Sequence, residues 1–184
     1  MNKRCLLIPF LALWTAAATA ADWTADAARS KLGFVATYDR IPFETRFERF
    51  AADIRLDAAR PAEGRMDVTI QTASVNSNSA DRDDGMQGPE WFHSAKHPIA
   101  RFVSRGINVE DGANFRLTGD LTIKGITRPV AFLFRWTEKN GAARIQGETL
   151  VKRTDFDIGT GEWKKDDTIG FEVKIVFDLQ LKRK

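Results

Sequence analysis

Apolar residues occupy every second position in several stretches of this chain. Leu117, Gly119, Leu121 and Ile123 share one face, while Arg116, Thr118, Asp120, Thr122 and Lys124 share the other. That period of two predicts a strand with one buried face. Lys124-Gly125 interrupts it with a residue suited to the positive φ of a tight hairpin. The pattern restarts after Pro129 as Val130, Phe132, Phe134 and Trp136. Residues 168–182 alternate most cleanly, with Ile169, Phe171, Val173, Ile175, Phe177, Leu179 and Leu181 on the apolar face. Shorter runs predict strands at 31–38, 43–56 (one bent strand or two, with a bulge near Arg49), 65–72, 100–106 and 143–151. Ile41-Pro42, Asp111-Gly112 and Asn140-Gly141 read as turns.

Alternation stops between Val75 and Ile99. Short helical turns are expected there, one near Ser79 and one at Pro89, where proline suits a first helical position. A long connection carrying Met86, Trp91 and Phe92 reads as a lid over an opening. Trp23 is placed to plug one end of the fold. About eight antiparallel strands with one helical excursion predict an all-β, eight-stranded antiparallel barrel, either filled by side chains or holding one small ligand. A β-sandwich is the alternative, and it suits the long final strand and the capping segment less well.

The N-terminus changes the composition that matters. Lys3 and Arg4 precede an apolar run from Cys5 to Trp14, and Ala18-Thr19-Ala20 follows. This predicts a secretory signal peptide over residues 1–20, cut after Ala20, and a single domain over 21–184. The run is short of the roughly 20 residues that span a bilayer. Cys5, the only cysteine, leaves with the signal, so no disulfide is expected in the exported protein. Lys3 and Arg4 leave too, and the formal net charge of +3 drops by two. That near balance gives no reason to expect a nucleic-acid partner. Thirteen Phe against a single Tyr, Tyr38, describe an interior that is either plain core or the lining of a dry cavity.

Candidate chemistry is sparse. His93 and His97 are the only histidines and lie i, i+4, but two ligands do not make a metal site and Pro98 follows at once. Asp155 to Glu162 has too few oxygen ligands for a calcium loop. No Gly-rich phosphate loop or G-x-S-x-G is present. No metal or cofactor is expected, and no catalytic residue is assigned.

Several stretches together resemble the YceI-like family, periplasmic polyisoprenoid-binding proteins of lipocalin-like barrel fold. Gly119-Asp120-Leu121-Thr122-Ile123-Lys124-Gly125-Ile126-Thr127-Arg128-Pro129-Val130 is similar to the family's G-x-L-T-I-K-G-x-T-x-P-V hairpin. His97-Pro98-Ile99-Ala100-Arg101-Phe102 resembles its Y-P-x-A-x-F segment, with His97 in the aromatic position. Asn78, Asp81, Arg82, Asp83 and then Trp91-Phe92 resemble its post-strand loop and short helix. Arg153-Thr154-Asp155-Phe156 resembles its R-x-D-F corner, and residues 159–163 resemble a branch that travels with cytochrome b561-type membrane proteins. Arg29-Ser30 departs from the His-Ser often found before the first strand.

The resemblance implies a periplasmic, non-enzymatic carrier that sequesters an isoprenoid-type lipid, a quinone or a prenyl phosphate, in an elongated apolar cavity. Phe34, Phe47, Phe50, Phe102, Phe132, Phe134 and Phe171 are the candidate lining residues, with Trp91 and Phe92 at the lid. Each either touches ligand or only fills the barrel. Arg153, Asp155 and Lys164 are the polar candidates at the mouth. Two other readings stay open. One is a module that presents quinone to a cytochrome b561-type membrane protein, and the other is a barrel-fold hydrolase or isomerase using His93 or His97. A homodimer is also compatible with the sequence.

Overall fold

A computed structural model of the protein describes residues 21–184, and the expected signal peptide lies outside the described residues. The strands are β1 (Ala21–Ala25), β2 (Lys31–Tyr38), β3 (Ile41–Glu44), β4 (Arg46–Phe47), β5 (Phe50–Leu56) and β6 (Arg65–Gln71). They continue with β7 (Val75–Asn76), β8 (Ile99–Asp111), β9 (Asn114–Ile123), β10 (Ile126–Lys139), β11 (Ala142–Lys152) and β12 (Glu172–Arg183). The one α-helix among the described residues, α1, spans Ala80–Gln87.

These segments form a closed eight-stranded antiparallel barrel. Around the wall, β1 is followed by β5, β6, β8, β9, β10, β11, β12 and β2. β12 closes the ring. Its Lys174–Asp178 stretch pairs with β2, and its Leu181–Arg183 stretch pairs with β1. β1 and β2 therefore act as one interrupted wall strand. β3, β4 and β5 form another, broken at Glu48-Arg49, where the Arg49 amide donates to Ser74 Oγ at 3.0 Å.

Turn chemistry fixes the register. Lys124 and Gly125 both take positive φ, as do Asn140 and Gly141, giving tight two-residue hairpins. Outside the first of these turns Thr122 and Thr127 share a hydroxyl hydrogen bond of 2.8 Å. Ile41-Pro42, expected as a turn, instead begins β3, and the turn sits one step earlier at Asp39-Arg40. Pro42 has no N–H to donate, and the brief β3 edge tolerates it.

One end of the barrel is solid. Trp23 is 0% exposed and meets Trp136 edge-to-face at 5.7 Å. Phe115 stacks on Phe134 at 5.3 Å beside Ile107. The other end is covered by α1, the 88–98 turns and the loop between β11 and β12. The turn at Pro89 is not a helix: the amides of Trp91 and His93 both bond to Gly88 O.

Candidate functional site

Parity within each strand decides which side chains point inward, and the inward sets meet in a cavity of about 690 Å³. Its middle is built from Val68 and Ile70 of β6, Phe102 of β8, Leu121 of β9, Phe132 of β10 and Ile175 and Phe177 of β12. Phe132 makes edge-to-face contacts with Phe102 (5.1 Å) and Phe177 (5.7 Å), so one aromatic row crosses the barrel. Nearer the mouth Phe34, Phe47 and Phe92 form a triangle with centroid separations of 5.8–6.1 Å.

Glycines keep this wall close-packed where they occur. A Cβ on Gly119 would lie 2.5 Å from both Val103 O and the Phe102 ring. A Cβ on Gly33 would lie 2.0 Å from Thr45 O. Both sites hold the backbone against its neighbour, and at Gly119 the Phe102 ring takes the space this leaves.

The mouth is assembled from three segments. The β2–β3 hairpin supplies Tyr38, Ile41 and Phe43. α1 and the residue that precedes it supply Ser79, Asp81, Arg82 and the inward Met86. Asp83 holds this helix in place by accepting from the Ser77 amide (2.8 Å) and hydroxyl (2.7 Å). The Arg82 guanidinium lies over the Phe43 ring at 4.5 Å and carries no carboxylate partner among the described residues. The third segment is the β11–β12 loop with Phe156, Ile158 and Trp163.

That loop is wrapped around Arg153. The residue is 3% exposed, and all of its side-chain nitrogens donate to main-chain carbonyls. Nε bonds Gly170 O. Nη1 bonds Ile158 O and Gly159 O, and Nη2 bonds Trp163 O, Lys165 O and Ile169 O, all between 2.7 and 3.2 Å. Burial pushes its pKa down, against an upward pull from Asp166. The guanidinium faces lie 5.8 Å from the Trp91 ring and 5.4 Å from Phe171. Gly159 is required here: φ is +75°, and a Cβ would sit 1.9 Å from Arg153 Nη1. The lid joins the same structure, because Glu90 O accepts from Gly159 N (2.7 Å) and Thr160 N (3.1 Å).

Of the residues singled out in the sequence, Phe34, Phe47, Phe102, Phe132, Trp91 and Phe92 line the cavity. Phe50, Phe134 and Phe171 do not. Phe50 opens β5 just after the break in the wall and pairs with Ile70. Phe134 lies one step deeper than Phe132, in the solid end against Phe115. Phe171 precedes the start of β12 and packs on Arg153. The polar candidates also change. Arg153 has its donors engaged by the backbone, and Asp155 and Lys164 are exposed and outside the lining. Arg82, Asp81 and Ser79 are the polar groups at the opening instead.

His93 and His97 face each other at 5.8 Å but lie outside the cavity lining. Burial, then Lys96, His93 and Lys124, lower the His97 pKa. Among the described residues no group of three or more His, Cys, Asp or Glu is placed to hold a metal.

Sequence and structure comparisons agree with this architecture. Residues 23–181 match the model of the YceI-like domain family. A UPF0312 protein of Azotobacter vinelandii is 32% identical over 136 residues, covering 68% of this chain and 71% of that protein. Protein YceI of Escherichia coli is 33% identical over 122 residues, covering 62% of each. Among solved structures, Burkholderia cenocepacia BcnA superposes with a TM-score of 0.83 at 33% identity, covering 85% of this chain and 98% of that one. A polyisoprenoid binding domain from Saccharophagus degradans shares the fold at a TM-score of 0.70 and 16% identity, covering 88% of this chain and 98% of that one. The chain belongs to the YceI-like domain family.

Proposed function

We propose that the protein is a periplasmic carrier that shelters an isoprenoid-type lipid, a quinone or a prenyl phosphate, without transforming it. The cavity carries this reading. Its volume of about 690 Å³ falls in the range of small-molecule sites, and its walls are almost wholly aliphatic and aromatic. Each methylene-sized group moved there from water is worth about 0.8 kcal/mol. A branched hydrocarbon chain can therefore be held without any polar contact. The tail lies along the Phe102–Phe132–Phe177 row, and the headgroup meets Arg82, Asp81 and Ser79 at the mouth.

The Saccharophagus degradans domain, named for polyisoprenoid binding, has the same fold and supports the ligand class. The basic, apolar and small-residue order of residues 3–20 supports export to the periplasm. The placement of His93 and His97 outside the lining supports binding over catalysis.

Mass spectrometry of an organic extract from the purified protein tests the proposal. A prenyl lipid in near-equimolar amount is expected from the wild type. Val68→Trp, which fills the middle of the cavity, should release it while the circular dichroism spectrum stays that of the barrel. A folded wild type that neither retains nor takes up any prenyl lipid would refute the reading. Presentation of a quinone to a membrane cytochrome would use the same cavity, and a ubiquinone-specific extract would favour it.

A further inference from the structure

The mouth carries an apolar tip that the barrel does not need for its own core. Ile41 is 70% exposed and Tyr38 is 48% exposed, although both also line the cavity. They are register partners across the β2–β3 hairpin, so their side chains stand on the same face. The two residues between them, Asp39 and Arg40, take φ of +48° and +65°. Neither is glycine, so the tight turn is held at some cost to the backbone. It is also pinned from behind. The Asp39 amide donates to Thr168 O at 2.8 Å, Gly170 N donates to Thr37 O at 3.2 Å, and Tyr38 bridges Ile169. The result is a fixed apolar point continuous with the cavity wall.

Charges beside it alternate in sign along the chain: Asp39 adjoins Arg40, Asp81 adjoins Arg82, and Lys164-Lys165 adjoin Asp166-Asp167. No single-sign field at the rim selects an acidic or basic partner protein. Beside the Arg82 guanidinium, which lies over Phe43, the tip itself presents a branched aliphatic and a tyrosine, the pairing suited to the boundary between headgroups and acyl chains.

We propose that this hairpin is a membrane-docking tip, which sets Ile41 and Tyr38 into a bilayer surface so that the cavity opens directly onto the lipid phase. This rests on the lipid-carrier reading for its purpose, because a cargo that resides in a bilayer must cross from it without passing through water. The docking itself depends only on the tip. Insertion is apolar, so salt has little leverage on it.

Co-sedimentation of the full exported protein with sucrose-loaded vesicles of phosphatidylethanolamine and phosphatidylglycerol tests the tip alone. The wild type is expected to sediment, with an affinity that changes less than about twofold when salt rises from about 0.1 M to about 1 M. Ile41→Ser should weaken vesicle binding by about tenfold, the loss of most of one buried isoleucine. Ile41→Trp should strengthen it. Wild-type protein that fails to sediment overturns the proposal, as does binding lost at high salt or binding indifferent to both substitutions. Sedimentation velocity covers the competing occupant: an Ile41→Ser variant that turns a dimer into a monomer with unchanged vesicle affinity would make the tip a self-association surface. The carrier reading is separated by loading the protein with ubiquinone from detergent micelles. Loading from micelles without vesicle binding overturns the docking tip and leaves the carrier. Vesicle binding without loading does the reverse.

Discussion

The indoles of Trp91 and Trp163 meet at 5.6 Å with planes tilted by 54°. One belongs to the turns after α1 and the other to the β11–β12 loop, so this pair clasps the lid to the barrel rim. An aromatic pair adds about 0.5–1.5 kcal/mol beyond the area it buries. Trp163→Ala removes this term and the buried area of the indole as well, so it should lower stability by more than about 1 kcal/mol, and it should speed amide exchange over residues 81–92. Exchange rates that match the wild type would show that the Glu90 hydrogen bonds alone hold the lid.

Arg153 organises the loop that Trp163 sits on. Removing its guanidinium leaves carbonyls of Ile158, Gly159, Trp163, Lys165 and Ile169 without their donor. Arg153→Met should cost at least about 3 kcal/mol, because each buried orphan group costs about 1–3 kcal/mol. Arg153→Lys keeps the charge but offers fewer donors in the wrong geometry, so it should recover only a minor part. Urea denaturation measures both, and a Met variant of wild-type stability would mean that the cage is incidental.

Gly119 sets the width of the cavity at Phe102. An added Cβ must push either the β8 backbone or the Phe102 ring, both at 2.5 Å. Gly119→Ala should destabilise the barrel by about 1–3 kcal/mol. It should also reduce lipid capacity more than Gly112→Ala, a change strained by a φ of +46° but at a turn where no atom lies within 4 Å of the added Cβ. Equal capacity in the two variants would contradict this.

Acid should weaken the wall at two outer ion pairs. The Arg144 guanidinium hydrogen-bonds Asp178 and holds its carboxyl below the usual range, and Arg101 does the same for Asp67. A carboxylate whose folded pKa lies below its unfolded value contributes stability above the unfolded value. That stability is lost as pH falls through the folded one. The loss should therefore begin below about pH 4 and deepen downward. Both pairs are partly exposed, so Asp178 contributes about 0.5 kcal/mol. Asp178→Asn should flatten the fall of the urea midpoint between about pH 4 and pH 2. An unchanged slope would remove the pair from the acid response.

The wall was legible in the sequence because burial on one face of a strand writes a period of two. β2, the β9–β10 hairpin and most of β12 can be placed from that pattern alone. Parity gives inside or outside but carries no information on height along the barrel. Phe132 and Phe134 share a phase, yet one lines the cavity and the other stacks under it. Phe171 keeps the phase of β12 but falls before the strand starts, where the Arg153 cage sets the local chain path. The place of Arg82 and Ile41 at the mouth was hidden for a different reason. A charged residue on a polar helix and a lone isoleucine next to proline have no periodic signal, and only the closing of the ring brings them to one opening. The chemistry of Arg153 was also hidden, since a lone arginine in a charged loop does not announce that its partners are carbonyls.

β12 is the seam of the ring. Trp23 is registered with Arg183, Thr24 with Lys182 and Ala25 with Leu181. A chain made N-terminus first must therefore wait for residues 181–183 before β1 has both neighbours. Until then β11 and β2 each keep a bare edge and the greasy inner faces stay open to solvent. Closure across so long a stretch of sequence belongs to the slow, millisecond-to-second class of folding. The same seam makes the unfinished chain easy to keep unfolded, and it makes a cut or truncation within β12 costlier than one at any hairpin turn.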